Sequence, residues 1–164
     1  MVVIAAQRLQ WLYSDWEDRR RGREFPSRRD FTPFDLKYLL GNLSLIDVTY
    51  EPLQFRYSIH ASNLAQRIGE MTNKSVDDIP GANQAKRLRD HFSEVVQRRV
   101  PVAYVRGQRF NDHDMPHDCE ALVLPLSTDG AVIDILMSAV VWDADGEQRR
   151  DWAAIRRLLH APTR

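Results

Sequence analysis

The stretch AVIDILMSAVVWD, residues 131–143, constrains the fold more than any other part of the chain. Ile133, Ile135 and Met137 alternate onto one side of an extended backbone, and Leu136, Val140 and Trp142 onto the other. Such a strand has no face to give to water, so it must run through the middle of a sheet covered on both sides. Asp134 is the exception in this run and needs either a partner such as an arginine or a place at the solvated side of the sheet.

Four further strands are legible around it. LSLIDVTY at 43–50 and FRYSIHA at 55–61 are joined across EPLQ, with Pro52 in the turn, and read as an antiparallel hairpin. PVAYVRGQRF at 101–110 and CEALVLPLS at 119–127 follow later, and Thr128, Asp129 and Gly130 make a tight connection that pairs the fourth strand directly with the last. Helical spacing predicts a first helix over 4–20 and a short helix from Thr32 and Pro33 to Gly41. It also predicts a helix from near Asn63 closed by Gly69, a short turn at 75–79, and an amphipathic helix over 83–99 carrying Leu88, Phe92, Val95 and Val96. A final helix is expected over 148–160. The order defines an α+β domain: a five-stranded antiparallel sheet, helices inserted between the second and third strands, and flanking helices at either end.

The 164 residues, 43% of them hydrophobic, suffice for one core. Lysine and arginine number 23, as do aspartate and glutamate, so net charge recommends no polyanionic partner. The single cysteine, Cys119, excludes an intramolecular disulfide, and the opening MVVIAAQRLQW has neither a spanning length nor a signal-peptide pattern, so a cytoplasmic protein without membrane association is expected.

The first helix places Leu9, Leu12, Tyr13 and Trp16 on one face and Trp11 on roughly the opposite side. Two aromatic faces ask for two neighbours: one the domain's own sheet, the other a second copy of the chain or a signalling partner, with loops over Trp11 as the alternative. Leu9, Trp11, Leu12 and Trp16 are therefore the candidates for a dimer or partner contact. The basic connector RRRGREFPSRRD, residues 19–30, has acidic neighbours in Glu17, Asp18, Glu24 and Asp30 that neutralise much of its charge.

The motifs WEDRRRGREFPSRRDFTP, LSLIDV, FRYSIHASNLAQRIG and ALVLPLS, taken in order, resemble bacterial single-domain PAS-like proteins of the PAS_5 family, abundant in alphaproteobacteria. The matching positions are Trp16, Gly22, Pro26, Ser27, Arg28, Asp47, Phe55, Arg56, Tyr57 and Gly69, and the resemblance covers roughly residues 9–142. It implies a PAS-like domain over 31–143, preceded by a helix and connector over 1–30 and followed by a helix over 144–164, with a sensory or regulatory role and no named ligand or cofactor. Two departures stand out. Ala61 replaces a usual glycine between strand and helix, where its methyl would narrow the space behind the helix, and Thr72, Asn73 and Lys74 replace a Thr-Gly-Arg turn.

No dinucleotide, P-loop or nucleophile-elbow spacing occurs. In the loop NDHDMPHDCE, His113, His117 and Cys119 are weak metal candidates whose spacing fits no standard zinc motif, and a solvated hairpin tip is the ordinary reading. Phe55, Tyr57 and Ile59 alternate onto the apolar face of their strand and, with Phe92, Tyr104 and Trp142, are the candidates for a ligand pocket. By the same alternation His60 faces away from that pocket, leaving little room for a role as haem ligand or pH sensor. The leading expectation is a non-enzymatic regulatory domain acting through a small molecule, a protein partner or both, as a dimer. Against it stand a small enzyme using Tyr57 with Asp47 or Asp134 as acid and base, and nucleic-acid binding through the arginines at 19–29 and 149–157.

Overall fold

A computed structural model describes residues 4–108 and 117–142. The expected helix over 148–160 and the histidine His113 lie outside the described residues. Among the described residues three α-helices and five strands follow one another as α1 (Gln7–Arg20), β1 (Leu43–Thr49), β2 (Gln54–Ile59), α2 (Ser62–Ile68), α3 (Ala82–Arg98), β3 (Val102–Gln108), β4 (His117–Leu126) and β5 (Ile135–Trp142). The strands form one antiparallel sheet in the order β2-β1-β5-β4-β3, so the doubly apolar β5 is indeed its centre.

Register separates the two faces of that sheet. Ser44, Ile46, Phe55, Tyr57, Tyr104, Ala121, Ser138 and Val140 share one face, as their cross-strand pairing requires. α3 lies over it with Ala85, Leu88, Phe92 and Val95 buried, and the Phe55 and Phe92 rings meet edge to face at 5.5 Å. The opposite face carries Leu45, Glu120, Leu122, Leu124, Met137 and Ala139, and α1 covers it. Leu9, Leu12 and Trp16 are fully buried there, and the Trp16 indole N–H donates to the Pro125 carbonyl at 2.8 Å. These three side chains, expected as candidates for a partner contact, belong to the chain's own core. Trp11 alone stays outside, 51% exposed, its ring edge-on to Tyr38 at 5.7 Å.

α1 begins at Gln7, three residues later than its apolar spacing suggests, with Ala6 in extended backbone as its cap residue and the amides of Ala5 and Ala6 turned to the sheet. Both donate to the buried Glu120 carboxylate, at 2.7 and 2.6 Å, which caps the helix from the sheet face beneath it. The helix ends on Arg21, in the left-handed region, followed by Gly22.

The basic connector is an internally paired strap. Arg19 meets Asp15 and Asp35, Arg20 meets Glu17, Arg23 meets Asp30, and Arg99 grips Glu24 through two hydrogen bonds of 2.7 Å. Ser27 and Asp30 close a capping box on the one-turn 3-10 helix Arg28–Asp30. These pairs hold Arg19, Arg20 and Arg23 within the chain, while Arg21 and Arg29 of the same connector are exposed.

The segment after Thr32 is shorter than a helix. Thr32 and Asp35 do exchange capping hydrogen bonds, but the chain continues through turns into a 3-10 turn, Lys37–Leu39, before Gly41. Gly41 has φ +83°, and a Cβ there would lie 3.0 Å from the Asn63 side-chain amide. Its carbonyl accepts from the Asn63 N–H at 2.8 Å, so a glycine is needed where the lead-in to β1 meets the start of α2. The β4–β5 connection is longer than a tight turn: the Asp129 carboxylate accepts from the Ala131 and Val132 amides and the Ser127 hydroxyl, holding 131–134 outside the strand. Asp134 accepts from the Thr128 amide at 3.1 Å, and no arginine pairs with it among the described residues.

Candidate functional site

The corner between β2 and α2 departs from simple alternation. Ile46 faces Tyr57 but Leu45 faces Ile59, so Ser58 is an extra residue in β2, a β-bulge. Beyond a bulge every side chain changes sides. Ile59, expected in the pocket, is therefore 48% exposed, and the His60 ring is buried, edge-on to Tyr57 at 5.0 Å. The His60 Nδ1 accepts from the Met71 amide at 3.4 Å, and its Nε2 has no hydrogen-bond partner among the described residues. Burial pushes the imidazole below its ordinary pKa, against the smaller opposing pull of the Glu70 carboxylate.

Ala61 follows as the cap residue of α2, at φ −63° and ψ 129°, a conformation open to any residue. Its amide donates to the Ser44 hydroxyl at 2.9 Å. Ala61 is buried and is not among the residues lining the adjacent cleft.

That cleft lies between the sheet, α2 and α3. Its floor is Ser44, Tyr57, Tyr104, Ser138, Val140 and Trp142; α2 contributes Leu64, Arg67 and Ile68, and α3 contributes Gln84 and Leu88. Three of the six expected pocket residues, Tyr57, Tyr104 and Trp142, do line it. Phe55 and Phe92 instead fill the core beside it, and Ile59 is outside. Two aromatic walls are braced: His91 stacks on Tyr104 at 4.0 Å with the rings 4° from parallel, and the Arg67 guanidinium lies 4.1 Å over the Trp142 ring. The enclosed space is about 20 Å³, and about 460 Å³ with its open mouth included. The enclosed part has room for roughly one water, far below the ~300 Å³ at which ordinary ligand pockets begin. The roof is loosely held, since α2 has no buried residue.

Sequence reasoning missed Ser44, Ser138 and Arg67. The serines were detectable as lone hydroxyls within the apolar runs LSLIDV and ILMSAVVW; Arg67 carried no distinguishing signal.

The proposed carboxylates for acid–base chemistry are elsewhere. Asp47 pairs with Arg56 and Ile135 in register and so sits on the face opposite Tyr57, while Asp134 is engaged with Thr128 outside β5. Of the weak metal candidates, His113 lies outside the described residues. Cys119 lies inside β4, buried against Ala121, Val140 and Trp142, and His117 opens the same strand. Among the described residues no group of three His, Cys, Asp or Glu side chains is placed to hold a metal ion. His60, the histidine weighed as a haem ligand, is not among the residues that line the cleft.

A twisted five-stranded antiparallel sheet, with helices crossing one face between its second and third strands and an N-terminal helix on the other, defines a PAS-like α+β domain. The PAS_5 family model, described as a PAS domain, matches residues 4–139, and the chain belongs to that family. No curated protein matches the chain. Among solved structures it is similar to an RNA-binding light-oxygen-voltage receptor at 13% identity and a TM-score of 0.42, covering 73% of this chain and 34% of that one. It therefore spans about a third of that receptor's length, 34%. It is also similar to a substituted form of RsLOV at 10% identity and a TM-score of 0.45, covering 93% of this chain and 76% of that one. Among the described residues no helix is long and apolar enough to cross a membrane.

Proposed function

We propose that the protein is a non-enzymatic regulatory domain of the cytoplasm that reads a small molecule in the cleft beneath α2 and passes its occupancy to a partner. Membership of the PAS family supports a sensory or regulatory role in general. The observation that carries the finer reading is the cleft itself, where two serine hydroxyls and an arginine meet an aromatic floor under a helix with no buried residue. A helix so lightly anchored can lift to admit a ligand larger than the enclosed space and settle again over it. The test is a thermal-shift screen of small metabolites. A ligand that binds only the folded state raises stability by about 2.7 kcal/mol at a hundred times its Kd, several degrees for a domain of this size. A screen without one shift, repeated by native mass spectrometry, rejects the small-molecule reading and leaves a protein-interaction module.

A second element is dimerisation through the outer face of α1. The exposed Trp11, with Tyr38 against it, supports that reading, and the Tyr38 hydroxyl is itself fixed to Asp15 at 2.9 Å. Light scattering after size exclusion is expected to give the mass of two protomers, and Trp11→Ala to give one. A wild-type protein that elutes as a monomer at all concentrations rejects the dimer.

A further inference from the structure

Two neighbours compete for one nitrogen of His60. The ring is wholly buried at the corner where β2 gives way to α2. Its Nδ1 accepts from the Met71 amide at 3.4 Å, which requires that nitrogen to be bare and puts the ring proton on Nε2. The Glu70 Oε1 stands 3.6 Å from the same Nδ1 and is answered only when that nitrogen carries a proton. Among the described residues Nε2 has no hydrogen-bond partner, so nothing on its side fixes the ring in either state.

Both competitors lie on the turn that ends α2. The Thr72 amide and hydroxyl donate to the Glu70 Oε1 at 2.7 and 2.6 Å, and those bonds hold its carboxyl below the ordinary range, so it stays ionised where a histidine titrates. The Met71 side chain is buried in the core. Beyond it, Asn73 and Lys74 are zipped to Tyr57 of β2 through backbone hydrogen bonds of 2.7 and 3.0 Å. The near half of the turn has less: the Gly69 N–H donates to Ala65, and the Met71 N–H donates to His60. Glu70 is the charged group that acts on the ring, and Tyr57 lies edge-on to it. The other charges around this corner are engaged elsewhere or exposed: Arg67 of α2 donates to the Asn63 carbonyl and lies over Trp142, Asp77 pairs with Arg89 of α3, Asp78 accepts from the Ser75 amide, and Arg56 and Lys74 are exposed.

Protonation sets the two neighbours against each other. A second ring proton on Nδ1 ends its acceptance from Met71 and turns it to Glu70, which leaves a buried backbone N–H without that acceptor. Burial holds the enclosed imidazole below its ordinary value of 6.5, and a ring released to water regains that value. Protons therefore favour the released state as pH falls below about 6.5 and favour neither state well above it. We propose that His60 is a proton-operated latch on α2: neutral, it holds the turn that ends the helix; protonated, it lets go of Met71, pairs with Glu70 and loosens the C-terminal end of α2. The helix has no buried residue of its own to resist. The latch works whether or not the cleft beneath α2 takes a small molecule.

The test is an NMR titration of the full chain from about pH 7.5 to about pH 5, following the His60 ring signals together with hydrogen exchange at the Gly69 and Met71 amides. The ring is expected to titrate below the ordinary histidine range. Protection of the two amides, corrected for the intrinsic pH dependence of exchange, should fall about tenfold on the same curve while amides of β4 and β5 keep theirs. His60→Gln offers an acceptor at every pH and should hold its protection constant. Glu70→Gln removes the charge that steadies the imidazolium and should move the ring's titration to lower pH. Should His60→Gln be unstable, through-bond assignment of the ring lets the wild-type curves decide alone. Four results each overturn the latch: a ring that stays neutral down to about pH 5, a ring that titrates while Gly69 and Met71 keep their protection, an equal loss of protection in His60→Gln, and a ring titration unmoved in Glu70→Gln.

Discussion

Glu120→Ala is expected to lower the free energy of unfolding by about 3 kcal/mol and to loosen α1 from the sheet. The carboxylate is fully buried and takes two backbone N–H groups, Ala5 and Ala6, at the point where α1 begins. The Ala6 amide belongs to the cap residue of the helix and the Ala5 amide directly precedes it, and their partner lies on β4, far away in sequence. Removing it leaves the buried Ala6 N–H and the part-buried Ala5 N–H without that acceptor, the buried one costing more than an ordinary hydrogen bond is worth. Glu120→Gln keeps one acceptor oxygen and should lose about half as much. Urea unfolding measures the loss, and fluorescence of Trp16, whose indole is fixed to Pro125, reports whether α1 has left the sheet. An unchanged midpoint in Glu120→Ala would mean that the clamp contributes nothing.

Phe92→Ala should be comparably damaging, at about 4 kcal/mol. Phe92 is the buried knob of α3 on the other side of the sheet, and its ring meets Phe55 from β2. Truncation opens a cavity between an edge strand and the longest described helix, where neither can collapse inward without breaking its own hydrogen bonds. Phe92→Leu retains most of the volume and should cost under about 1.5 kcal/mol. Denaturant unfolding of both variants decides the matter: equal losses would show that shape at this contact is unimportant and only hydrophobicity counts.

The two faces of the sheet were unequally legible in the sequence. Strands whose side chains are apolar on both faces announce themselves, and β5 could be placed at the centre from AVIDILMSAVVWD alone. Gly69 correctly ends α2, where it lies at φ +87°. The bulge at Ser58 left no such mark. It contains no glycine, and only the pairing partner shows that one residue is extra, so strict alternation carried Ile59 inward and His60 outward. The late start of α1 was hidden for a related reason, since the groups that cap it belong to a strand more than half the chain away. The aromatic side of the cleft was visible as large residues, Tyr57, Tyr104 and Trp142. The polar side depended on Ser44 and Ser138 meeting across β1 and β5, a contact that no local pattern encodes.

The central position of β5 also governs how the chain can assemble. β1 pairs with β5, bringing Leu43 beside Ala139, while β3 pairs with β4 and β1 with β2 through near neighbours. Two local hairpins can therefore form early, but they share no hydrogen bond until the last strand of the sheet enters between them. Folding must wait for a closure that spans most of the sequence, a costly step with a slow rate for a domain of this size. During synthesis the first hairpin would leave the ribosome with one edge open, and only residues 135–142 can seal it.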